Sequence, residues 1–225
     1  MPEEPSLMPA PASPQSPRHS LTADAWAEAA LDAIAANGIE AVAVEPLARR
    51  LGVTKGSFYW HFSNREALLR AAIEHWERLQ TAAIAAADAA GGEPRDRLLT
   101  LFRRLANTDA RSERLLLMLS NSDHPLAREA ERRVSARWRT YCHSCYRALG
   151  CDESEAVFRS TFAYSTFIGT IHLRRDEPEA LPDEQNFGNY LRFLIRSLVP
   201  PGCGSEGSDW PPGELPHPAA ISSTD

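Results

Sequence analysis

Apolar residues recur along most of the chain with a helical period, and nowhere with the alternation of a half-buried strand. Trp26, Ala29, Ala30, Ala33 and Ile34 follow the i, i+3, i+4, i+7, i+8 rule. Thr22 stands at the start as a cap, Leu21 and Trp26 flank it as a staple pair, and Gly38 ends the helix. After Ile39, Val42 and Val44, Pro46 marks the start of a short helix running to about Leu51. Gly52-Val53 supplies a tight turn and Thr54 a capping hydroxyl for a helix over Thr54–Phe62. On that helix Phe58 and Phe62 share one side, while Gly56, Ser57 and Trp60 point the other way, flanked by Tyr59 and His61. One face is a wedge into a core; the other is rich in donors.

Ser63 with Glu66, or else Asn64, caps a fourth helix. Its stripe of Leu69, Ala72, Ile73, Trp76 and Leu79 continues through alanines to about Ala90, before Gly91-Gly92-Glu93-Pro94 breaks it. Four or five further helices follow. Leu98, Leu101, Phe102 and Leu105 mark one; Leu115, Leu116, Met118 and Leu119 a short one; Val134, Trp138, Tyr141 and Cys145 a long one opened by Pro125 and stopped by Gly150. Asp152 and Glu155 cap the next, which carries Phe158, Phe162, Thr166, Phe167, Gly169 and Thr170 and is apolar on more than one side. Phe187, Tyr190, Leu191, Leu194, Ile195 and Leu198 make the last, ended by Pro200-Pro201. The fold class is all-α. Residues 1–20 and 201–225, dominated by Pro, Ser, Gly and Ala, are expected to be disordered tails.

Helix, glycine-containing turn, helix is the arrangement that lays a second helix in the DNA major groove. The run Gly52-Val53-Thr54-Lys55-Gly56-Ser57-Phe58-Tyr59-Trp60-His61-Phe62, followed by Ser63-Asn64-Arg65-Glu66-Ala67-Leu68-Leu69, resembles the DNA-binding signature of the tetracycline-repressor-like (TetR) family of bacterial regulators. The resemblance covers roughly residues 21 to 70. It implies an N-terminal three-helix helix-turn-helix domain over 21–66 and a helical bundle over 67–200 for ligand binding and dimerisation. The site residues it implies are Thr54, Lys55, Gly56, Ser57, Tyr59, Trp60, His61 and Arg65, with Tyr59, His61 and Arg65 on phosphates and Lys55, Gly56, Ser57 and Trp60 facing base edges. It places a homodimer interface on residues around 154–173 and 185–198. One departure is visible: family members usually carry Ser or Thr where this chain has Ala43 and Val44, and often a basic residue at Glu45.

The 225 residues, 43% hydrophobic and 24% charged, suffice for a substantial core in one unit or two small ones. A formal charge of -6 argues against a protein that coats nucleic acid indiscriminately, because phosphate neutralisation supplies most non-specific affinity. It does not argue against a local basic patch of Arg49, Arg50, Lys55 and Arg65, which Arg18 could join and in which Lys55 is the sole lysine of the chain. No apolar run of about 18 residues suggests a membrane span. Glu3 and Glu4 stand where a signal peptide needs basic residues, so the expected location is the cytoplasm.

No phosphate-cradling glycine loop, nucleophile elbow or HExxH motif is present, so neither an enzyme nor a cofactor is expected. Cys142 and Cys145, one helical turn apart, are half a zinc site at most. With Cys151 and Cys203 they are expected to be four reduced thiols, two of them packing in the core. Trp138, Tyr141, Tyr164, Thr166 and His172 could line a cavity for a small-molecule effector or simply complete a core. The expected protein is a ligand-responsive repressor that binds a palindromic operator in double-stranded DNA as a homodimer. The alternatives are a thiol- or metal-sensing regulator acting through Cys142 and Cys145, or a helical small-molecule-binding protein that has lost DNA binding.

Overall fold

The computed structural model describes residues 21–200; the two expected tails lie outside the described residues. Nine α-helices follow one another there: α1 (Ala23–Asn37), α2 (Val44–Arg50), α3 (Lys55–Tyr59), α4 (Arg65–Ala89), α5 (Pro94–Ala106), α6 (Ala110–Ser120), α7 (Pro125–Ala148), α8 (Glu153–Asp176) and α9 (Glu184–Leu198). Two short 3-10 turns, Ile39–Ala41 and Pro178–Ala180, were not foreseen in the sequence. No strand occurs among the described residues, so the fold is all-α as expected.

The helix ends have local causes. Thr22 accepts a hydrogen bond from the Ala25 amide at 3.2 Å, and Asp152 accepts one from the Glu155 amide at 2.8 Å. Of the two caps considered for α4, Asn64 is the one used, accepting from the Ala67 amide at 2.9 Å. Gly91 and Gly92 take φ values of 65° and 88°, a backbone that side chains resist, and this turns the chain out of α4.

Two compact units form, each with its own core. Among the described residues the first takes in residues 21–79 together with Ala110–Glu131, so the first half of α4 and all of α6 belong with the helix-turn-helix. Its core joins Trp26, Leu31 and Ile34 of α1 to Leu47, Phe58, Leu68, Leu69 and Trp76, with Leu115, Leu117 and Leu119 from α6. Arg111 of α6 bridges α1 by ion pairs to Glu28 at 2.7 Å and Asp32 at 2.6 Å.

The second unit holds Gln80–Asp109 and, among the described residues, 132–200. Leu98, Leu101 and Phe102 of α5 are buried there, as are Val134, Trp138, Cys142, Cys145 and Tyr146 of α7 and Ala156, Ala163 and Ile171 of α8. The carbonyls freed where α9 ends find donors: the Tyr146 hydroxyl donates to the Leu198 carbonyl and Arg95 to that of Pro200, both at 2.6 Å. Cys151 is disulfide-bonded, which corrects the expectation of four reduced thiols.

Candidate nucleic-acid interface

The turn between α2 and α3 is built from backbone bonds. Leu51 donates to the Leu47 carbonyl at 2.9 Å and Val53 to that of Ala48 at 3.0 Å, while Gly52 takes φ 67°. Pro46 sits two residues inside α2 rather than at its start, at a first-turn position whose amide has no partner within the helix. Helix α3 is five residues long, too short to hold itself together in water. Packing holds it. Phe58 is fully buried, edge-on to Trp26 with ring centroids 5.4 Å apart, and Phe62 is buried beside it at 5.6 Å.

With those rings inward, the opposite side is presented outward. Thr54, Lys55, Gly56 and Tyr59 are exposed, Trp60 is 88% exposed, and Ser57 and His61 are half-buried. An indole left almost wholly in water has no role in the core. Thr54 occupies the N-cap position, but its side chain makes no capping hydrogen bond, contrary to the expected one. At Gly56 an added Cβ would meet only the Thr54 hydroxyl, at 3.6 Å, an ordinary contact. The protein's own packing therefore does not demand glycine there.

Arg65 turns toward the fold. Its Nε donates to the Val42 carbonyl at 2.6 Å and one Nη to the Ile39 carbonyl at 2.9 Å, with Glu40 at 3.4 Å. The guanidinium thus clamps the 3-10 turn that joins α1 to α2. Lys55 has a carboxylate partner: its ammonium donates to Glu45 at 2.8 Å. The bond lowers the Glu45 carboxyl's pKa and raises that of the Lys55 ammonium, the mutual Coulomb attraction adding to both. Both groups border a surface depression of about 380 Å³ that also touches Ala43, Tyr59, Asn64 and Arg65. Ala43, at the N-cap of α2, offers no side-chain cap.

In the second unit the five expected effector residues part company. Trp138 and Tyr164 line one closed void with Phe102, Leu105, Cys142 and Phe167, and Trp138 stacks on Phe167 with centroids 6.3 Å apart. The void has about 10 Å³ of solvent-sized space, room for roughly one water. Tyr141 lines a separate, open depression of about 430 Å³ with Ile84, Ala136 and Thr140. Burial, with the neighbouring Cys145 thiol second, pushes the Tyr141 phenol up to about 12. Thr166 lends its carbonyl to the Thr170 hydroxyl at 2.9 Å, and His172 stands 3.8 Å from Asp176; neither lines the closed void. Phe102, Leu105 and Phe167 carry the periodicity of core residues, and no sequence signal separates lining from core.

Burial pushes the Cys142 thiol up to about 12, and burial likewise raises that of Cys145. Among the described residues, no group of three or more His, Cys, Asp or Glu side chains could hold a metal ion. No helix among them is long and apolar enough to cross a membrane.

Among the described residues, a glycine turn leads into a short helix that exposes Lys55 and Tyr59 and buries Phe58, with Trp60 exposed and Phe62 buried just past its end, and this is a helix-turn-helix arrangement. The family model of bacterial regulatory proteins of the tetR family matches residues 27–72. Over that segment, about a fifth of the chain, the sequence is similar to the TetR family of transcriptional regulators. Over 46 residues it is 37% identical to the uncharacterized HTH-type transcriptional regulator TtgW of Pseudomonas putida, a match covering 20% of this chain. The match spans about a third, 34%, of that relative's length. Among solved structures, a TetR transcriptional regulator from Legionella pneumophila superposes with a TM-score of 0.66 at 17% identity, over 81% of this chain and 100% of that one. A transcriptional regulator from Rhodococcus sp. Rha1 superposes with a TM-score of 0.61 at 22% identity, over 80% and 96%. At these identities the likeness is one of fold.

Proposed function

We propose that the protein is a cytoplasmic, non-enzymatic, ligand-responsive repressor that binds a palindromic operator in double-stranded DNA as a homodimer. The observation that carries this reading is the divided helix α3, with Phe58 sealed in the core and Trp60 almost wholly in water. Lys55, Gly56, Ser57 and Trp60 read base edges, with Thr54, Tyr59 and His61 on flanking phosphates. Arg65 holds the turn that orients them and meets phosphate only with its remaining donors. Gly56 supports close approach, since a residue that the fold does not require to be glycine is one that a partner can require bare.

In this reading residues 21–66 do the DNA reading and 67–200 the effector and partner binding. One short helix reads few base pairs, so two copies must act together. Phe158 and Phe162, one turn apart on α8, are 69% and 54% exposed, and Phe193 on α9 is 65% exposed. Large apolar side chains left in water on those two helices support a second copy as their cover. The closed aromatic void at Trp138 and Tyr164 is the seat proposed for the effector, which must part the stacked rings to enter. Binding there favours a conformation whose recognition helices no longer match the groove.

The thiol-sensing alternative is weakened by burial, because a thiol held near 12 has almost no thiolate at neutral pH. Selection of bound duplexes from a random-sequence pool, followed by gel-shift titration, tests the proposal. Enrichment of an inverted repeat supports it. Failure to retain any duplex favours a helical protein that has lost DNA binding.

A further inference from the structure

Three cations around the recognition helix are paired with carboxylates. Lys55 meets Glu45 at 2.8 Å, Arg50 meets Asp32 at 2.7 Å, and Arg65 has Glu40 at 3.4 Å. Of these, the Lys55–Glu45 pair stands at the edge of the exposed face itself, and both side chains are more than half exposed. We propose that Glu45 is a specificity-determining residue: it occupies the phosphate-binding valence of Lys55, so that Lys55 can read a base but cannot contribute freely to non-specific DNA affinity. This rests on the DNA-binding reading above.

An ammonium with one partner fixed keeps only its remaining donors for other acceptors. Lys55 has three N–H donors, and Glu45 takes one. In a loose complex on arbitrary DNA, affinity comes from cations that neutralise phosphates and release counterions, about 0.9 of a salt-slope unit each on B-DNA. A cation that arrives already neutralised releases none. To transfer Lys55 to a phosphate, Glu45 must be left unpaired against a polyanion, which opposes the exchange. In a matched complex the two remaining donors can still reach guanine O6 and N7 without breaking the ion pair. The carboxylate therefore removes one phosphate contact from every wrong site while leaving the base contact at the right one. The direction agrees with the chain's net charge of -6, which already disfavours indiscriminate binding.

The test compares full-length wild type, Glu45→Gln and the double variant Glu45→Gln/Lys55→Gln. Each is titrated by fluorescence anisotropy on a duplex selected by the wild type and on an unrelated duplex of the same length, across a salt series. Glu45→Gln should bind the unrelated duplex roughly 3- to 10-fold tighter near 0.1 M salt, with a slope steeper by about one unit. It should bind the selected duplex with a smaller gain, so the specificity ratio falls. The double variant should return the slope on unrelated DNA to the wild-type value, which identifies Lys55 as the released cation. An unchanged slope and ratio in Glu45→Gln would overturn the proposal. So would a loss of affinity confined to the selected duplex, since Glu45 would then be a direct base contact. A wild type that binds no duplex removes the DNA-binding reading and this proposal together; a wild type that binds while Glu45→Gln changes nothing removes this proposal alone.

Discussion

Replacing Arg65 by lysine separates its charge from its geometry. Nε and one Nη serve two carbonyls at once, those of Val42 and Ile39 at 2.6 and 2.9 Å, and a planar fork can do this where a single ammonium cannot. Hydrogen bonds from a charged donor are worth about 1.5–3 kcal/mol each where water is excluded. The Arg65 side chain is 37% exposed, so water can replace part of what is lost, and about 1–2 kcal/mol for the two together is the reasonable magnitude. For a chain of this size that corresponds to a fall in Tm of roughly 2–8 °C. Both Arg65→Lys and Arg65→Ala should show it. Hydrogen exchange followed by mass spectrometry should also show faster exchange in a peptide covering residues 39–42, whose 3-10 turn the guanidinium holds. If Arg65→Lys melts within about a degree of wild type and residues 39–42 exchange at the wild-type rate, the clamp has no energetic weight. Arg65 would then be free to act mainly on phosphate.

Phe58→Ala removes a ring with no exposed surface and should cost about 3–5 kcal/mol, a large share of what so small a unit can hold. Near-UV circular dichroism should show the first unit unfolded, and native melting with altered base preference would reverse the assignment of the two faces of α3. Gly56→Ala should hold or raise stability by up to about 1 kcal/mol, because its new methyl meets only an ordinary contact, yet it should weaken binding to a selected duplex. Equal DNA affinity would mean that nothing approaches residue 56. Trp60→Ala should change stability by no more than about 0.5 kcal/mol and abolish selective binding; retained selectivity would remove Trp60 from the reading face. Cys142, its thiol pushed up to about 12 by burial, should resist iodoacetamide at pH 8 in the native protein and react in urea. Rapid native alkylation, read by mass shift, would reopen the thiol-sensing alternative.

Helix positions were legible because their causes are local. Thr22, Gly38, the Gly91-Gly92 break, Pro125 and Asp152 each act within a few residues of themselves, and the structure places helix ends beside all of them. The burial of Phe58 and Phe62 and the exposure of Trp60 also followed from the helical period expected over Thr54–Phe62, although α3 itself ends at Tyr59 and Phe62 is carried by the turn after it, its amide donating to the Phe58 carbonyl at 2.9 Å. What escaped depends on residues far apart in sequence. Arg65 meets carbonyls more than twenty residues earlier, and Glu45 meets Lys55 across a turn. Neither pairing leaves a periodic trace. The grouping of α6 with the helix-turn-helix was hidden for the same reason, since Leu115, Leu117 and Leu119 read as core without saying whose core. Trp76, which the sequence places on the apolar stripe of α4, is fully buried, so its truncation would cost folding stability.

The divided face of α3, presented twice by a dimer, is the centre of the account, and a duplex selection addresses it most directly. Full-length wild type and Trp60→Ala are each used to retain duplexes from a random-sequence pool through several rounds at physiological salt, and the retained pools are sequenced. The account predicts that wild type enriches an inverted repeat with half-sites about one helical turn apart, roughly 34–36 Å, or a multiple of that spacing, and that Trp60→Ala enriches nothing. A wild-type pool that stays random, or a Trp60→Ala pool that converges on the same repeat, would contradict it.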